Sequence, residues 1–599
     1  MDQPMDVTRR SVATPATYAW AAFGAVSIAF HLWLIFSGLV PNLVARPLHT
    51  ALALPWVFLF AAKTRIGAMT GAAYATVGIA CCLFIAWNEA RLGDQYGYLE
   101  GNLQFAIAIS LIVITLEMAR RAIGWPLPAV AAIAVAYGLF GASLPGEFGH
   151  PGLPLGSFLG TIVVAEGGLW GSLTGVSVNI VAPFVIFGAV LNAGEAGRGF
   201  MNVAAAAAGH LKGGAAKVSV ISSALFGSIS GSASANVAST GAITLPAMRN
   251  LGYPKPLAGA VEAVASSGGQ IMPPLMGAGA FVMVTLTGVP YTGIMAAALL
   301  PALLYFLTVW IGINAFASRH DLKPISEQDR PDLKTVLITT AFFAVPFAVL
   351  LERMFVGGLT PQYAAATAIL VAALLLAVDA NLTFDWRRTA DRLITTCLTA
   401  GQQIATIAAI ILCASLVISV LGQTGLGVKI TSLIISASGD QLWPALLLTA
   451  LACLLLGMEV PTTAAYVICV SVAGPALQQL GLPLLTTHLF VFWFALLSTI
   501  TPPVCGPVFI AAGMVGENWL RVAGAAMALG LGLYLIPLAM VANAPLIALA
   551  TTPLLAIAAA VKVGVGLGAM SYGLIARHGW PVRLGLTALG FAVLFVPVF

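Results

Sequence analysis

The chain has 599 residues, of which 60% are hydrophobic and 8% are charged, whereas soluble domains carry about 25% charged residues. Its mean hydropathy is +0.99, and apolar runs long enough to span a bilayer recur from end to end. No soluble domain of useful size is left over, so we expect an all-α polytopic membrane protein without a nucleic-acid partner. The net charge of +5 matters less than which loops hold Lys and Arg.

The first 150 residues predict an N-terminal membrane domain, 1–150, whose N-terminus is cytoplasmic. Arg9 and Arg120 mark the inside, and the acidic loop 88–102 marks the outside. The first apolar run is too long for the core of a signal peptide, so we interpret it as a retained span. The predicted spans lie at about 17–39, 46–62, 67–87, 102–119 and 125–141.

The pattern of plain spans changes after the next span, at 175–194. Residues 218–246 are polar in their middle and have basic residues beyond both ends, which predicts a re-entrant hairpin. A broken helix is predicted at 257–289, with its interruption at Ser266–Pro274. Plain spans then follow at 293–317, 335–352 and 359–379.

Residues 246–277 and 475–506 are two copies of one segment at a constant offset of 229 positions. The matching residues are mostly Gly and Pro, which set the shape of the backbone: Pro246 with Pro475, Pro273-Pro274 with Pro502-Pro503, and Gly277 with Gly506. The second copy therefore predicts a second hairpin at about 443–475, with its tip at Gly457–Thr463, and a second broken helix at 483–514, interrupted at Ser498–Pro503. Repeated, Gly/Pro-broken helices are typical of secondary transporters.

The two copies are predicted to have opposite orientations in the membrane. Five full membrane crossings lie between equivalent residues of the two copies. Because five is odd, equivalent residues lie on opposite sides of the membrane, and the repeat is inverted. Further plain spans are predicted to begin near 400 and to lie at 520–545, 550–575 and 583–599. The predicted topology places residues 319–323 inside and Asp440 outside. In all we expect about 14 full spans, two re-entrant hairpins and two broken helices. The predicted divisions are a transporter core at 151–546, repeat one at 175–317, repeat two at 404–546, and a C-terminal two-span extension at 547–599.

The hairpins and breaks predict the transport site. Irregular backbone at membrane depth persists only where it lines a cavity or holds a ligand. Helix N-termini suit an anion, and carbonyls with nearby hydroxyls and amides suit a hard cation such as sodium. The predicted cation ligands are Ser228, Ser230, Ser232, Ser234, Asn236, Gly268, Gly269, Gln270, Thr462, Thr463, Ser498, Thr499 and Thr501. The predicted substrate contacts are Ser232, Asn236, Gln270, Pro273, Pro274, Pro461, Thr462, Pro502 and Pro503.

Sodium is favoured over a proton as the coupling ion, because nearly all of these ligands are neutral oxygen groups. Proton coupling would more naturally use a buried carboxylate or imidazole. Glu459 lies at the second tip, and Glu262 and His488 lie near the broken helices. Small-residue strings such as 227–235 also allow close helix packing, so packing is an alternative role for the tip serines.

Other polar residues predict no further chemistry. His31 and His49 fall at span ends or loops and lack metal-ligand spacing, and the seven cysteines have neither zinc nor redox spacing. The sequence has no Walker A run and no clustered His/Asp/Glu set. We therefore expect no cofactor, no metal other than Na⁺ and no enzymatic activity.

Three segments resemble the large permease of TRAP transporters: 226–237 (FGSISGSASANV), 259–277 (GAVEAVASSGGQIMPPLMG) and 456–466 (LGMEVPTTAAY). The pattern is most similar to fused permeases of the TAXI type, in which the small membrane subunit precedes the large one. The resemblance covers about 155–545, and over 1–150 it rests only on the number and placement of spans. Glu459 departs from the family pattern, which has Gly in a Gly-Met-Gly-Leu-Pro-Thr string.

The resemblance implies sodium-driven uptake of an organic anion across the inner membrane. It also implies a separately encoded extracytoplasmic substrate-binding protein and an elevator-like movement of the core. One alternative is a sodium/carboxylate symporter that needs no binding protein, since its core would look the same. A membrane-embedded enzyme is a second alternative, for which no catalytic constellation is visible.

Overall fold

A computed structural model describes residues 14–457 and 460–596. Within them, eleven helices are long and apolar enough to cross a membrane, and they coincide with eleven of the predicted plain spans. The two other predicted spans, 359–379 and 583–599, overlap the shorter helices Pro361–Leu375 and Trp580–Phe595. The protein is an all-α polytopic membrane protein, as predicted. Glu459 and the Arg9-Arg10 pair lie outside the described residues.

The N-terminal region is a set of helices with clear end signals. Thr14 and Thr64 cap two of them, because their hydroxyls accept the backbone N–H of Thr17 and Gly67 and so satisfy an otherwise unpaired amide. Its helices are α1 (Pro15–Phe36), α2 (Asn42–Pro55, continued by a π-helical turn, Trp56–Phe60), α3 (Arg65–Trp87), α4 (Glu89–Gly93), α5 (Gly101–Ile123) and α6 (Pro126–Phe140).

Repeat one contains the first predicted hairpin and the first broken helix. Gly231 turns the chain with a left-handed φ of 60°, and Ser232 then caps the next helix by accepting the N–H of Ala235. The first break begins at Gly269, three residues later than its predicted start at Ser266. The helices between 155 and 320, of which α7 and the start of α8 precede repeat one, are α7 (Leu155–Val163), α8 (Ser172–Val176), α9 (Ala182–Ala193), α10 (Ala196–Ala208), α11 (Gly214–Ser230), α12 (Ala233–Asn250), α13 (Lys255–Gly268), α14 (Gly277–Thr287) and α15 (Tyr291–His320). We call α11 and α12 hairpin one.

The rest of the chain is a plain helical hairpin, repeat two and the C-terminal extension. Its helices are α16 (Leu333–Phe355), α17 (Pro361–Leu375), α18 (Trp386–Thr424), α19 (Leu426–Ser438), α20 (Leu442–Gly457), α21 (Thr462–Gln479), α22 (Leu484–Leu496), α23 (Gly506–Val515), α24 (Trp519–Leu529), α25 (Leu531–Ala542), α26 (Pro553–Ile575) and α27 (Trp580–Phe595). We call α20 and α21 hairpin two.

Two helices in this part differ from the prediction. Helix α18 begins at Trp386, well before the predicted start near 400, because the Asp385 side chain caps it by accepting the N–H of Arg387. The predicted single span 520–545 is two helices, α24 and α25, that meet at Gly530. Glycine is a poor residue inside a helix, and this one lies against the second break: a Cβ at Gly530 would lie 2.4 Å from Ile500 Cδ1.

The two copies share their element boundaries as well as their sequence. Helices α12 and α21 have 18 residues each and begin 229 positions apart. Hairpin one packs through α12 against α23, and hairpin two packs through α21 against α14. Such reciprocal packing is what a two-fold relation between two copies produces. Their orientation in the membrane stays a prediction.

The prediction that His31 and His49 lie at span ends or loops is wrong. Helix α2 begins at Asn42, ahead of the predicted start at 46, so His49 lies well inside it. Both imidazoles are buried, and His31 Nε2 lies 2.8 Å from His49 Nδ1. His49 Nε2 lies 3.1 Å from Ser177 Oγ, in the π-helical turn before α9. This pair therefore connects the N-terminal region to repeat one.

Candidate functional site

A cavity of about 440 Å³ lies between the tips of the two hairpins and the long helix α18. Hairpin one supplies Ser230, Gly231 and Ser232, and the start of hairpin two's second helix supplies Pro461, Thr462 and Thr463. The remaining wall comes from the first break, α9 and α18, and includes Val181, Phe184, Val185, Gln270, Leu275, Gly277, Phe281, Gln402, Gln403 and Thr406. Five structural elements thus share one cavity.

Gln270 joins the two hairpin tips. Its Nε2 donates to the carbonyl oxygen of Gly231, at 3.2 Å, and its Oε1 accepts from the hydroxyl of Thr462, at 3.4 Å. The residue lies immediately after α13, where the broken helix leaves its amide free to reach both sides. One side chain therefore couples the position of hairpin one to that of hairpin two.

The cavity offers polar groups that suit an anion. Helices α12 and α21 both begin at its wall, and a helix N-terminus carries partial positive charge. Ser230 Oγ is buried and has no hydrogen-bond partner within the described residues. A buried hydroxyl without a partner costs free energy, which a ligand in the adjacent cavity can recover. The wall combines these donors with the aromatic ring of Phe184 and aliphatic side chains.

Glycines allow hairpin one to touch the first broken helix backbone to backbone. A Cβ added to Gly227 would lie 2.2 Å from Gly269 Cα, and one added to Gly231 would lie 2.6 Å from Gly277 Cα. Neither position has room for a side chain. The buried Asn236 lies beside the first contact, where its Nδ2 donates to the carbonyl of Ser223 at 2.9 Å. Hairpin one and the first break therefore form one packed unit.

The second break carries three hydroxyls with partners of their own. Ser498 donates to the carbonyl of Ala495 at 3.1 Å and Thr499 to that of Leu496 at 2.7 Å, while Thr501 Oγ1 lies 2.6 Å from the Tyr534 hydroxyl. All three residues are buried. Hairpin two reaches them at its tip, since a Cβ on Gly457 would lie 3.2 Å from Ser498 Oγ.

The structure brings six predicted site residues to the cavity wall: Ser230, Ser232, Gln270, Pro461, Thr462 and Thr463. The other predicted residues lie behind it, in the hairpin helices and the two breaks: Ser228, Ser234, Asn236, Gly268, Gly269, Pro273, Pro274, Ser498, Thr499, Thr501, Pro502 and Pro503. Among these, Pro274 accepts a hydrogen bond through its carbonyl from the Tyr291 hydroxyl. The roles of both groups as cation ligands or substrate contacts stay predictions.

Three polar residues of the wall escaped the sequence reasoning: Gln402, Gln403 and Thr406. They lie on α18, which runs as a continuous helix through this region although Gly401 directly precedes Gln402. The signal that would have found them is their spacing, because positions 402 and 406 lie on one face of α18, in the part after Arg392 that is otherwise mostly apolar. A polar face inside a transmembrane helix points to a cavity or pathway.

Residues 110–555 match the protein family described as Tripartite ATP-independent periplasmic transporter, DctM component. The chain belongs to this family. It is 25% identical over 343 residues to the C4-dicarboxylate TRAP transporter large permease protein DctM of Pseudomonas aeruginosa, covering 56% of this chain and 76% of that protein. It is 25% identical over 349 residues to YgiK of Salmonella typhimurium, and the match covers 57% of this chain and 77% of YgiK. It is 21% identical over 335 residues to the sialic acid TRAP transporter permease protein SiaT of Haemophilus influenzae, and that match covers 56% of this chain and 53% of SiaT.

The protein is therefore a TRAP transporter permease of the inner membrane, and not an enzyme. TRAP permeases carry out secondary transport of small organic acids with a separate periplasmic substrate-binding protein. The matched residues include both hairpins, both breaks and the part of α18 that lines the cavity. The large-permease resemblance seen in the sequence motifs is confirmed, while the TAXI type and the fused small subunit stay predictions.

Proposed function

We propose that this permease imports a small carboxylate, driven by sodium, after delivery by a separately encoded extracytoplasmic substrate-binding protein. The observation that carries this proposal is the cavity between the two hairpin tips, where two helix N-termini meet a wall of hydroxyls and amides. C4-dicarboxylates and sialic acid, which appear in the names of the relatives, are both carboxylates. A carboxylate would accept hydrogen bonds from these donors without a buried Lys or Arg.

Sodium coupling is supported by the chemistry of the two breaks. Their side chains are neutral hydroxyls and amides, and their irregular backbone presents carbonyls, which together are the oxygen ligands that hard cations take. Repeat one offers Asn236 beside Gly227 and Gly269, and repeat two offers Ser498 and Thr499. No cofactor beyond Na⁺ is needed in this scheme.

An elevator-type movement is supported by how the cavity is divided. The hairpins and the first break form one wall, with Gln270 joining the two tips, and α9 and α18 form the other. Helices α1, α2, α5 and α6 also pack on α18, so the N-terminal region belongs with the stationary side. We place it as the counterpart of the small subunit, with its N-terminus in the cytoplasm.

Transport is tested by reconstitution into liposomes with an imposed inward sodium gradient. Succinate and N-acetylneuraminate serve as labelled probes, each with and without the cognate binding protein. We expect accumulation that requires both the gradient and the binding protein. Accumulation without the binding protein would instead support the binding-protein-independent symporter, and accumulation without a sodium gradient would contradict sodium coupling.

The movement is tested by cross-linking across the cavity. Cysteines replacing Ser232 and Thr406 lie on opposite walls, so a bifunctional thiol reagent should join the two walls and stop uptake. A matched pair replacing Val185 and Gln402 lies on α9 and α18, both on the stationary side, and its cross-link should leave uptake intact. Full transport by the cross-linked Ser232–Thr406 pair would contradict an elevator movement.

A further inference from the structure

Glu262 is a fully buried carboxylate in the middle of α13, behind the cavity wall. Its hydrogen bonds within the described residues all come from hydroxyls. Ser219 of α11 donates to it at 2.8 Å, Thr240 and Thr244 of α12 donate at shorter range, and Ser266, on its own helix, lies 3.4 Å away. Three helices thus place hydroxyls around one acidic group in the interior of hairpin one and the first broken helix.

The charged groups on the elements that pack against α13 have partners elsewhere or lie at the surface. Lys217 of α11 places its ammonium 4.9 Å from the centre of the Trp310 ring, and Arg521 of α24 pairs with Glu517 at 3.6 Å. Helix α23 has no ionisable side chain. Lys255, at the start of α13, donates to the Gly516 carbonyl. Tyr291 and Tyr305 of α15 donate to the Pro274 and Val264 carbonyls. The remaining titratable side chains on these helices are exposed: Arg249 on α12 and Arg319 and His320 on α15.

A carboxylate in such a place needs a positive partner or a proton. Hydroxyl donors satisfy its lone pairs but do not supply charge, and an unpaired charge in a low-dielectric interior is costly. A hard cation keeps its ligand oxygens about 2.3–2.6 Å from itself. The hydroxyls here are bonded directly to the carboxylate, which leaves no gap for an ion between them. A proton is the cation that this arrangement accommodates.

A cavity approaches Glu262 from the end of hairpin one that carries Arg249. A cavity of about 410 Å³ there is lined by Gly241, Leu245, Arg249, Asn250 and Met514, among others. A Cβ added to Gly241 would lie 3.2 Å from Glu262 Cγ, so one glycine separates the cavity from the carboxyl group. A second cavity, of about 540 Å³, includes Thr244 in its wall, whose hydroxyl donates to Glu262.

The second copy of the repeat shows that packing alone does not require this acidic cluster. At the constant offset of 229 positions, Val491 occupies the place of Glu262. The positions of the three hydroxyls on α12 and α13 are likewise taken by smaller or apolar side chains: Cys469, Ala473 and Ala495. The same helical framework is therefore built without a carboxylate in repeat two, which indicates a role for Glu262 beyond holding the helices together.

We propose that Glu262 is a proton-binding site of the transport core, loaded and emptied through the cavity at Gly241. In the loading step, a carboxylate oxygen takes a proton from a hydronium ion in that cavity and becomes a carboxylic acid, and water is left behind. Unloading is the reverse, and no other bond changes. This inference rests on the proposed function: the transport cycle then requires the binding of a proton at Glu262 in addition to sodium.

The proton site is tested by infrared pH-difference spectroscopy on the full chain in lipid, with protons as the only probe. We expect a carboxylic-acid C=O band that appears on acidification in the wild type and is lost in Glu262→Gln. Ser219→Ala should shift the band, because it removes a hydrogen bond to the carboxyl. Ser267→Ala is the matched control: its hydroxyl donates to the Ala263 carbonyl, so the band should stay unchanged. Identical difference spectra for the wild type and Glu262→Gln would overturn the proposal.

The access route has its own test, which also serves if Glu262→Gln does not fold. Transfer of the wild type to D₂O should shift the carboxylic-acid band quickly, and Gly241→Ala should slow that shift, because the added methyl closes the wall beside the carboxyl. An equal rate in both proteins would contradict entry through this cavity.

Transport measurements separate this proposal from the proposed function. In the liposome assay, Glu262→Gln should keep sodium dependence and lose the pH dependence of uptake. Unchanged pH dependence would contradict a coupled proton. Absence of sodium-driven uptake in the wild type would count against the proposed function alone, since the infrared result stands without it.

Discussion

At the scale of a single residue, the amide of Gln270 connects hairpin tips that come from different copies of the repeat. Gln270→Ala removes its hydrogen bonds to Gly231 and Thr462, each contributing about 1 kcal/mol. We expect kcat/KM for uptake to fall about tenfold to thirtyfold, which initial rates in liposomes would measure. Gln479→Ala is the control, because Gln479 is exposed at the far end of α21. A Gln270→Ala protein with wild-type kinetics would show that the bridge has no part in transport.

The hydroxyls at the second tip bear on the driving ion. Thr462→Ala and Thr463→Ala each remove a hard oxygen from the cavity wall, so the half-saturating sodium concentration should rise several-fold while the fold is kept. Sodium titration of the initial uptake rate measures this. Thr340→Ala provides the control, since that hydroxyl donates to its own helix at Val336. Sodium activation that is the same in all three variants would exclude both threonines as ligands.

Asp379 gives a prediction about pH outside the membrane-spanning helices, in the loop between α17 and α18. The backbone N–H of Thr383, its hydroxyl, the N–H of Asn381 and the guanidinium of Arg388 all stabilise the carboxylate and lower its pKa to about 2. A depressed folded-state pKa contributes stability above the unfolded value, near 3.9, that is lost as the pH falls towards 2. Asp379→Asn should therefore lower the unfolding temperature at neutral pH.

The control is how the difference in unfolding temperature between the wild type and Asp379→Asn changes with pH. The gap in unfolding temperature between the wild type and Asp379→Asn should narrow below about pH 4 and close near pH 2. A gap that stays constant over this range would show that the carboxylate charge is not what stabilises the loop.

Sequence reasoning found some single residues and missed others for a physical reason. Ser230, Ser232 and Thr462 were found because they accompany a glycine or proline that interrupts a helix. Gln402 lies on an uninterrupted apolar helix, where its contribution depends on what packs opposite. Local sequence does not contain that information, because the facing hairpins are far away along the chain.

At the scale of elements, the contact between hairpin one and the first broken helix depends on glycine. Gly227→Ala places a methyl carbon 2.2 Å from Gly269 Cα, so we expect a loss of about 1–3 kcal/mol of stability and a lower unfolding temperature in detergent. Gly197→Ala on α10 is the control, because the described residues leave open space around that position. It should be neutral or slightly stabilising. Equal unfolding temperatures for the two variants would contradict the close backbone contact.

The hairpins and breaks were the elements that sequence predicted best. Gly and Pro fix where a helix ends, so the tip at Gly231 and the breaks before Gly277 and Gly506 follow from local rules. The early start of α18 and the division at Gly530 were missed because hydropathy windows report average polarity and not capping. The pairing of His31 with His49 was missed because it needs the packing of two helices.

At the scale of the whole molecule, the predicted topology places the loop after α15 inside and the loop between α19 and α20 outside. Lys323→Cys and Gln441→Cys put thiols at exposed positions in these loops. A membrane-impermeant maleimide should label Gln441→Cys in intact spheroplasts. It should label Lys323→Cys only after the spheroplasts have been lysed. The native thiols give a low background, since six are buried and Cys397 is partly shielded. Labelling of both positions from one face would show that the repeat is not inverted.

The length of α18 has a consequence for the lipids that the protein needs. Its 39 residues rise about 58 Å, nearly twice the roughly 30 Å of bilayer hydrocarbon. The first turns of α18 carry three arginines, of which Arg388 and Arg392 pair with Asp379 and Glu195. Arg387 is exposed and is the one that can attract an anionic headgroup. A helix of this length therefore constrains the depth of the cavity wall to which it belongs. We expect reconstitution into thin or purely zwitterionic membranes to slow turnover, which initial uptake rates in liposomes of defined thickness and lipid charge would measure.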